Sequence, residues 1–113
     1  MLGEEQRTRL WNGSHALADG GLILEEVGGH SPGSAVVHLA GLDRRYLVTG
    51  DECYQCANLL ENRPIGVTCD HRKHVDFLER ERAAQAVPLP FHDHVIFTTY
   101  RAVGSGTDVV RII

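Results

Sequence analysis

Short apolar stretches alternate with glycine- and proline-rich breaks along the whole chain. Thr8 to Leu17 reads as a hairpin about Asn12-Gly13, a two-residue turn signal that needs positive φ. Leu22 to Val27 is an apolar, β-branched run and predicts a strand. Gly28-Gly29-His30-Ser31-Pro32-Gly33 is a loop by composition. Ser34 to Leu39 predicts the next strand, Gly41-Leu42-Asp43 a turn, and Arg45 to Thr49 a further strand that stops at Gly50-Asp51. Glu52 to Asn62 reads as a loop entering a short helix, ended by Pro64. Asp70 is placed to N-cap a helix from His71 to Ala86. Its apolar face, Val75, Leu78, Ala86 and Phe77, is narrow and suggests a helix lying on a surface. Pro88 and Pro90 bracket an extended segment. Val95 to Val103 fits helix or strand, and Thr107 to Ile113 reads as a terminal strand. Strands and helices in mixed order suggest a layered α/β unit.

Composition narrows the function classes. The 113 residues suffice for one small domain, with 42% apolar and 23% charged residues. A net charge of -4 argues against nucleic acid or an anionic membrane surface as the main partner. No apolar run approaches the ~20 residues of a membrane helix. Met1 to Arg7 is charged from the start, which predicts no signal peptide and a cytoplasmic protein. Three cysteines in such a chain are expected as reduced, small buried residues. The alternative is a structural zinc module on Cys53, Cys56 and Cys69, although Cys69, His71 and His74 are spaced more tightly than the usual second ligand pair. Glu79 to Arg82 is expected to be a solvated helix face, Arg44-Arg45 a turn, and Trp11 and Phe77 packing residues.

Seven histidines make metal chemistry worth testing. Three segments put His or Asp on a loop after a regular element, where a rigid scaffold presents ligands. They are Gly29-His30-Ser31-Pro32-Gly33-Ser34, Thr49-Gly50-Asp51-Glu52-Cys53-Tyr54 and Pro90-Phe91-His92-Asp93-His94. Neutral imidazole and carboxylate suit a borderline metal such as zinc. Taken singly, each is an ordinary turn or a solvated polar loop; their combination and order are more specific. His15, His38, His71 and His74 are expected to play no metal role.

That order resembles the C-terminal half of the metallo-β-lactamase fold, over roughly residues 20 to 105, and within it the N-acyl-homoserine lactonase branch. The resemblance implies half of an αββα sandwich, with a mixed or antiparallel sheet and one to three helices, so that 1–113 is a single partial domain. It implies that His30 binds a first metal, Asp51 bridges two, and His92 binds the second, with His94 a nearby competitor. Tyr54, three positions after Asp51, would contact a substrate carbonyl, and Asp51 would shuttle a proton. His92-Asp93 also fits the lactonase pattern, whereas Phe91 stands where the family often has Gly. The chemistry implied is attack of a metal-activated hydroxide on a lactone or other ester. The family's H-x-H-x-D-H motif is absent, which leaves two protein ligands per metal where catalytic zinc has three. Weak zinc binding and little activity are therefore expected of the chain alone, as is pairing with a second copy or a complementing N-terminal half. A non-enzymatic remnant or interaction module of the same fold is the competing reading.

Overall fold

The computed structural model describes residues 10–104 and 110–112. Five strands form one sheet in the order β1-β2-β3-β4-β5: Ser14–Leu17, Leu22–Glu26, Ala35–Ala40, Arg45–Val48 and Val87–Leu89. The first four pair antiparallel; β4 and β5 pair parallel. A parallel pair needs a long crossover. Here it carries α1 (Cys56–Leu60) and α2 (His71–Ala83). A short helix α3 (Ile96–Thr99) and a two-stranded ribbon, β6 (Arg101–Ala102) with β7 (Val110–Arg111), follow. The segment read as helix or strand thus contains both, and the terminal strand is confined to β7 within the described residues. No described helix is long and apolar enough to cross a membrane.

The first hairpin is not where Asn12-Gly13 places it. β1 begins after that pair and turns into β2 through Ala18, Asp19 and Gly20, all at positive φ (50°, 55° and 86°), so that Leu17 faces Leu22. Thr8 and Arg9 lie outside the described residues.

The sheet's two faces differ. On one, Val36, His38, Leu47 and Thr49 are all buried. Val36 and Leu47 join Cys53, Leu59, Phe77, Leu78 and Ala86 in one apolar cluster. On the other, Leu22, Leu24, Val37, Leu39, Tyr46 and Val48 are only half-buried.

Helix α2 starts as its sequence predicts, with Asp70 accepting the Lys73 amide at 3.1 Å. It ends at Ala83, short of Ala86; of the expected apolar face Phe77, Leu78 and Ala86 are buried, and the polar His74 and Glu81 join them. His74, Phe77, Leu78 and Glu81 point inward, an i, i+3, i+4, i+7 row. Val75 is only half-buried. Glu79 to Arg82 is therefore not a uniformly solvated face. Glu81 is 2% exposed and accepts from Arg45 at 2.6 Å and Arg80 at 3.1 Å. Arg80 also reaches Glu25, whose other partner is His38. Burying a carboxylate is tolerable because these cations pair with it.

The cysteines do not converge. Cys53 lies in the core, Cys56 is half-buried against the Pro88 carbonyl, and Cys69 is exposed and donates to the Gly28 carbonyl. Only Cys53 is thus the small buried residue expected of all three, and a shared metal module on them is not formed. Burial pushes the thiols of Cys53 and Cys56 up to about 12 and about 11. Thiolate is the reactive form. A thiol reagent at neutral pH is expected to modify Cys69 in the native protein and all three cysteines only in denaturant. Rapid native labelling of Cys53 would contradict this core.

Candidate metal centre

Three loop segments meet beyond the ends of β2, β4 and β5. Gly50 turns the chain at φ +53°, and Asp51 follows in a 3-10 turn at the end of β4. Its carboxylate lies between two histidines. His30 Nε2 stands 3.7 Å from Oδ2, and His92 Nε2 stands 3.4 Å from Oδ1. Tyr54 sits between the same two rings, edge-on to His30 at 6.0 Å and to His92 at 5.5 Å. His92, rather than His94, faces the carboxylate. The residues expected to form the site are therefore brought together.

The donor spacing can be compared with a metal's requirement. Two N and O donors on one tetrahedral zinc lie roughly 3.3–3.4 Å apart, given bond lengths of about 2.0–2.2 Å. The 3.4 Å pair matches and the 3.7 Å pair needs a small contraction. Each histidine uses a different oxygen of Asp51, so the donors come as two pairs sharing one carboxylate. Among the described residues no group of three or more His, Cys, Asp or Glu side chains is arranged to hold one ion. Each histidine–carboxylate pair thus offers two of the four donors of a tetrahedral zinc.

The His30 ring is oriented by its other nitrogen. Nδ1 lies 2.9 Å from the Val67 carbonyl and, as the donor there, leaves Nε2 unprotonated toward Asp51. The Tyr54 hydroxyl is 3.5 Å from the same Nδ1. The His92 loop is held by Asp93, which accepts the Cys56 amide at 2.9 Å and the Val95 amide at 3.0 Å. Those two backbone donors hold the Asp93 carboxyl below its usual range.

Two residues that the sequence does not mark complete the arrangement. Glu52 is fully buried next to Asp51, and it hydrogen-bonds to fully buried His74. Burial pushes the Glu52 carboxyl up, but hydrogen bonds from His74, Ser34 and the His30 amide outweigh it and hold it below its usual range. Its partners lie 18 to 23 residues away on either side, so sequence spacing gives no hint of them. For His74 there was a signal: it shares the inward helical row of Phe77, Leu78 and Glu81.

Asp51, Tyr54, Asn58, Pro64, Ile65 and His92 line a cleft of about 670 Å³. This lies within the range of small-molecule sites. The Asp51 and His92 side chains are 51% and 60% exposed, so the cleft is open on their side.

No protein-family model and no curated protein sequence matches the chain. Solved structures do resemble it. One is an N-acyl homoserine lactone hydrolase with the product N-hexanoyl-L-homoserine bound at its catalytic metal centre (TM-score 0.65, 19% identity, 82% of this chain and 38% of that one). A quorum-quenching N-acyl homoserine lactone lactonase matches at TM-score 0.64, 19% identity, 82% of this chain and 40% of that one. The chain has the fold of these hydrolases. A probable metal-dependent hydrolase from Staphylococcus aureus shares it (TM-score 0.64, 17% identity, 79% and 33%). The five-stranded mixed sheet with few helices is the metallo-β-lactamase-like fold these hydrolases have in common. The chain spans 33–40% of the length of these three relatives.

Proposed function

We propose that the chain is the C-terminal part of a dinuclear, zinc-dependent cytoplasmic hydrolase that opens a lactone or similar ester, such as an N-acyl homoserine lactone. The observation that carries this reading is the placement of His30 and His92 on separate oxygens of Asp51, with Tyr54 between them. When bound, zinc would supply a water of lowered pKa and polarise the ester carbonyl. Asp51 would hold the two ions close together and pass a proton to the leaving oxygen. The Tyr54 hydroxyl would donate to the carbonyl oxygen as negative charge develops there. The cleft walls of Pro64 and Ile65 would exclude water from an apolar part of the substrate.

Two protein donors per ion fall one short of a catalytic zinc site. The remaining donors would come from an N-terminal part of the sandwich, seated on the half-buried sheet face. A non-enzymatic interaction module is the second reading, favoured by the wide exposure of Asp51 and His92. Zinc stoichiometry and affinity of the purified chain test these ideas, with His30→Ala and Asp51→Ala as controls. Weak uptake, reduced further in both variants, is the expected result. Tight stoichiometric zinc lost in both variants would mean that a second copy completes the site, and lactone hydrolysis should then be assayed. Zinc uptake indifferent to both substitutions would overturn the metal-centre reading.

A further inference from the structure

We infer that Glu52 is a positioning residue, which fixes the ring of His30 through a closed circuit of hydrogen bonds that also contains His74. The inference deepens the proposed function and rests on its assignment of His30 as a metal ligand. One carboxylate oxygen of Glu52 accepts from the Gly29 amide at 3.0 Å, the His30 amide at 2.8 Å and the Ser34 hydroxyl. The other oxygen lies 3.2 Å from His74 Nδ1. His74 Nε2 accepts from the Ile65 amide at 3.1 Å. Two residues on from Ile65, the Val67 carbonyl meets His30 Nδ1 at 2.9 Å. The circuit returns to Glu52 through the His30 amide. Both ends of the bond that orients the His30 ring are therefore anchored on one side chain, next to Asp51.

The donors and acceptors fit in only one way. Ile65 presents an N–H, so His74 Nε2 must be the acceptor and Nδ1 carries the proton. Glu52 then faces donors on both oxygens, which only a carboxylate satisfies. An amide in its place would set its NH2 against His74 Nδ1–H or, flipped, against three other donors. The loop is also pressed onto this pair. A Cβ at Gly29 would lie 2.7 Å from Glu52 Oε2 and 2.8 Å from His74 Cβ, so only glycine permits the approach. The Gly29 carbonyl is in turn tied to the amides of Cys69 and Asp70, ahead of α2.

The test compares the wild-type chain with Glu52→Gln. Ring ¹⁵N spectra of the metal-free protein report the tautomer of each histidine, and calorimetric titration with zinc chloride reports affinity. In the wild type, His30 and His74 are expected as single Nδ1–H tautomers. In E52Q, His30 is expected to lose that single tautomer and zinc affinity to fall about 10–100-fold, the usual effect of removing an outer-shell partner. In a His30→Ala background, E52Q is expected to cause no further loss of zinc affinity. Should E52Q fail to fold, Ser34→Ala removes one donor and leaves the buried Glu52–His74 pair intact. It is expected to move the Gly29 and His30 amide resonances and weaken zinc in the same direction. An unchanged His30 tautomer and unchanged zinc affinity in the folded variants would overturn the positioning role. So would an equal loss of affinity with and without His30, which would mark a general effect on the fold. If the wild-type chain takes up no zinc, as two donors per ion allow, the ring spectra alone decide: an unchanged His30 tautomer in E52Q overturns the positioning role and its loss supports it.

Discussion

Replacing Phe77 by alanine is expected to destabilise the chain by about 3–5 kcal/mol, the range for deleting a buried phenylalanine. Phe77 is 2% exposed and lies at the centre of the inward row of α2. It packs in the cluster that contains Val36 and Leu47 of the sheet and Leu59 of α1. The Arg80 guanidinium stands 5.8 Å from its ring and adds a cation–π contact that the substitution also removes. Domains of this size have about 5–15 kcal/mol of stability in all, so the variant should sit near the edge of folding. The site should suffer with it, because His74 lies one turn earlier on the same helical face. Urea unfolding followed by circular dichroism measures the effect. Phe97→Ala is the control: that ring is 46% exposed, and its removal should change stability by no more than about 0.5 kcal/mol. A loss below about 1 kcal/mol for Phe77→Ala would mean that α2 is not packed on the sheet as described.

The same helix shows what the sequence made legible and what it hid. Asp70 was readable as a cap because capping is a local interaction, between residues three apart. The loops of His30, Asp51 and His92, which the structure brings together, stand out in the sequence because each follows a regular element and carries a residue suited to metal. An apolar pattern marks only half of the inward face of α2, Phe77 and Leu78, because its other two members are His74 and Glu81. Burial of such groups depends on partners from distant segments. Glu81 needs Arg45, 36 residues away, and His74 needs Glu52, 22 residues away. The position of the first hairpin is hidden for a related reason. Asn12-Gly13 and Asp19-Gly20 are both turn dipeptides. What decides between them is the pairing of Leu17 with Leu22 and of Ala16 with Ile23, which depends on the rest of the sheet.

A lysine at Val37 is expected to abolish association of the chain without unfolding it. Val37 lies at the middle of the half-buried face, paired with Leu24 on one side and Val48 on the other. With Leu22, Leu39 and Tyr46 these residues form an apolar row, and none of them is fully buried. The contrast with Val36 and Leu47, both 0% exposed on the opposite face, is what a sheet covered on one side only would give. Covering the rest of such a face is worth roughly 1 kcal/mol per side chain, about half the value for burying a Val or Leu completely. Six side chains therefore offer several kcal/mol to a partner sheet. In the absence of that partner, the wild-type chain should sediment well above its 12.5 kDa monomer mass. A lysine at Val37 can extend its ammonium into water while the face is open. Once the face is covered that charge must be desolvated without a partner, at a cost of several kcal/mol. Sedimentation velocity should therefore show association in the wild type and monomer in the variant, with matching circular dichroism spectra. A compact wild-type monomer that binds no hydrophobic dye would mean that this face needs no cover. The further donors that the proposed metal centre requires would then have to arrive without a second sheet docked beside them.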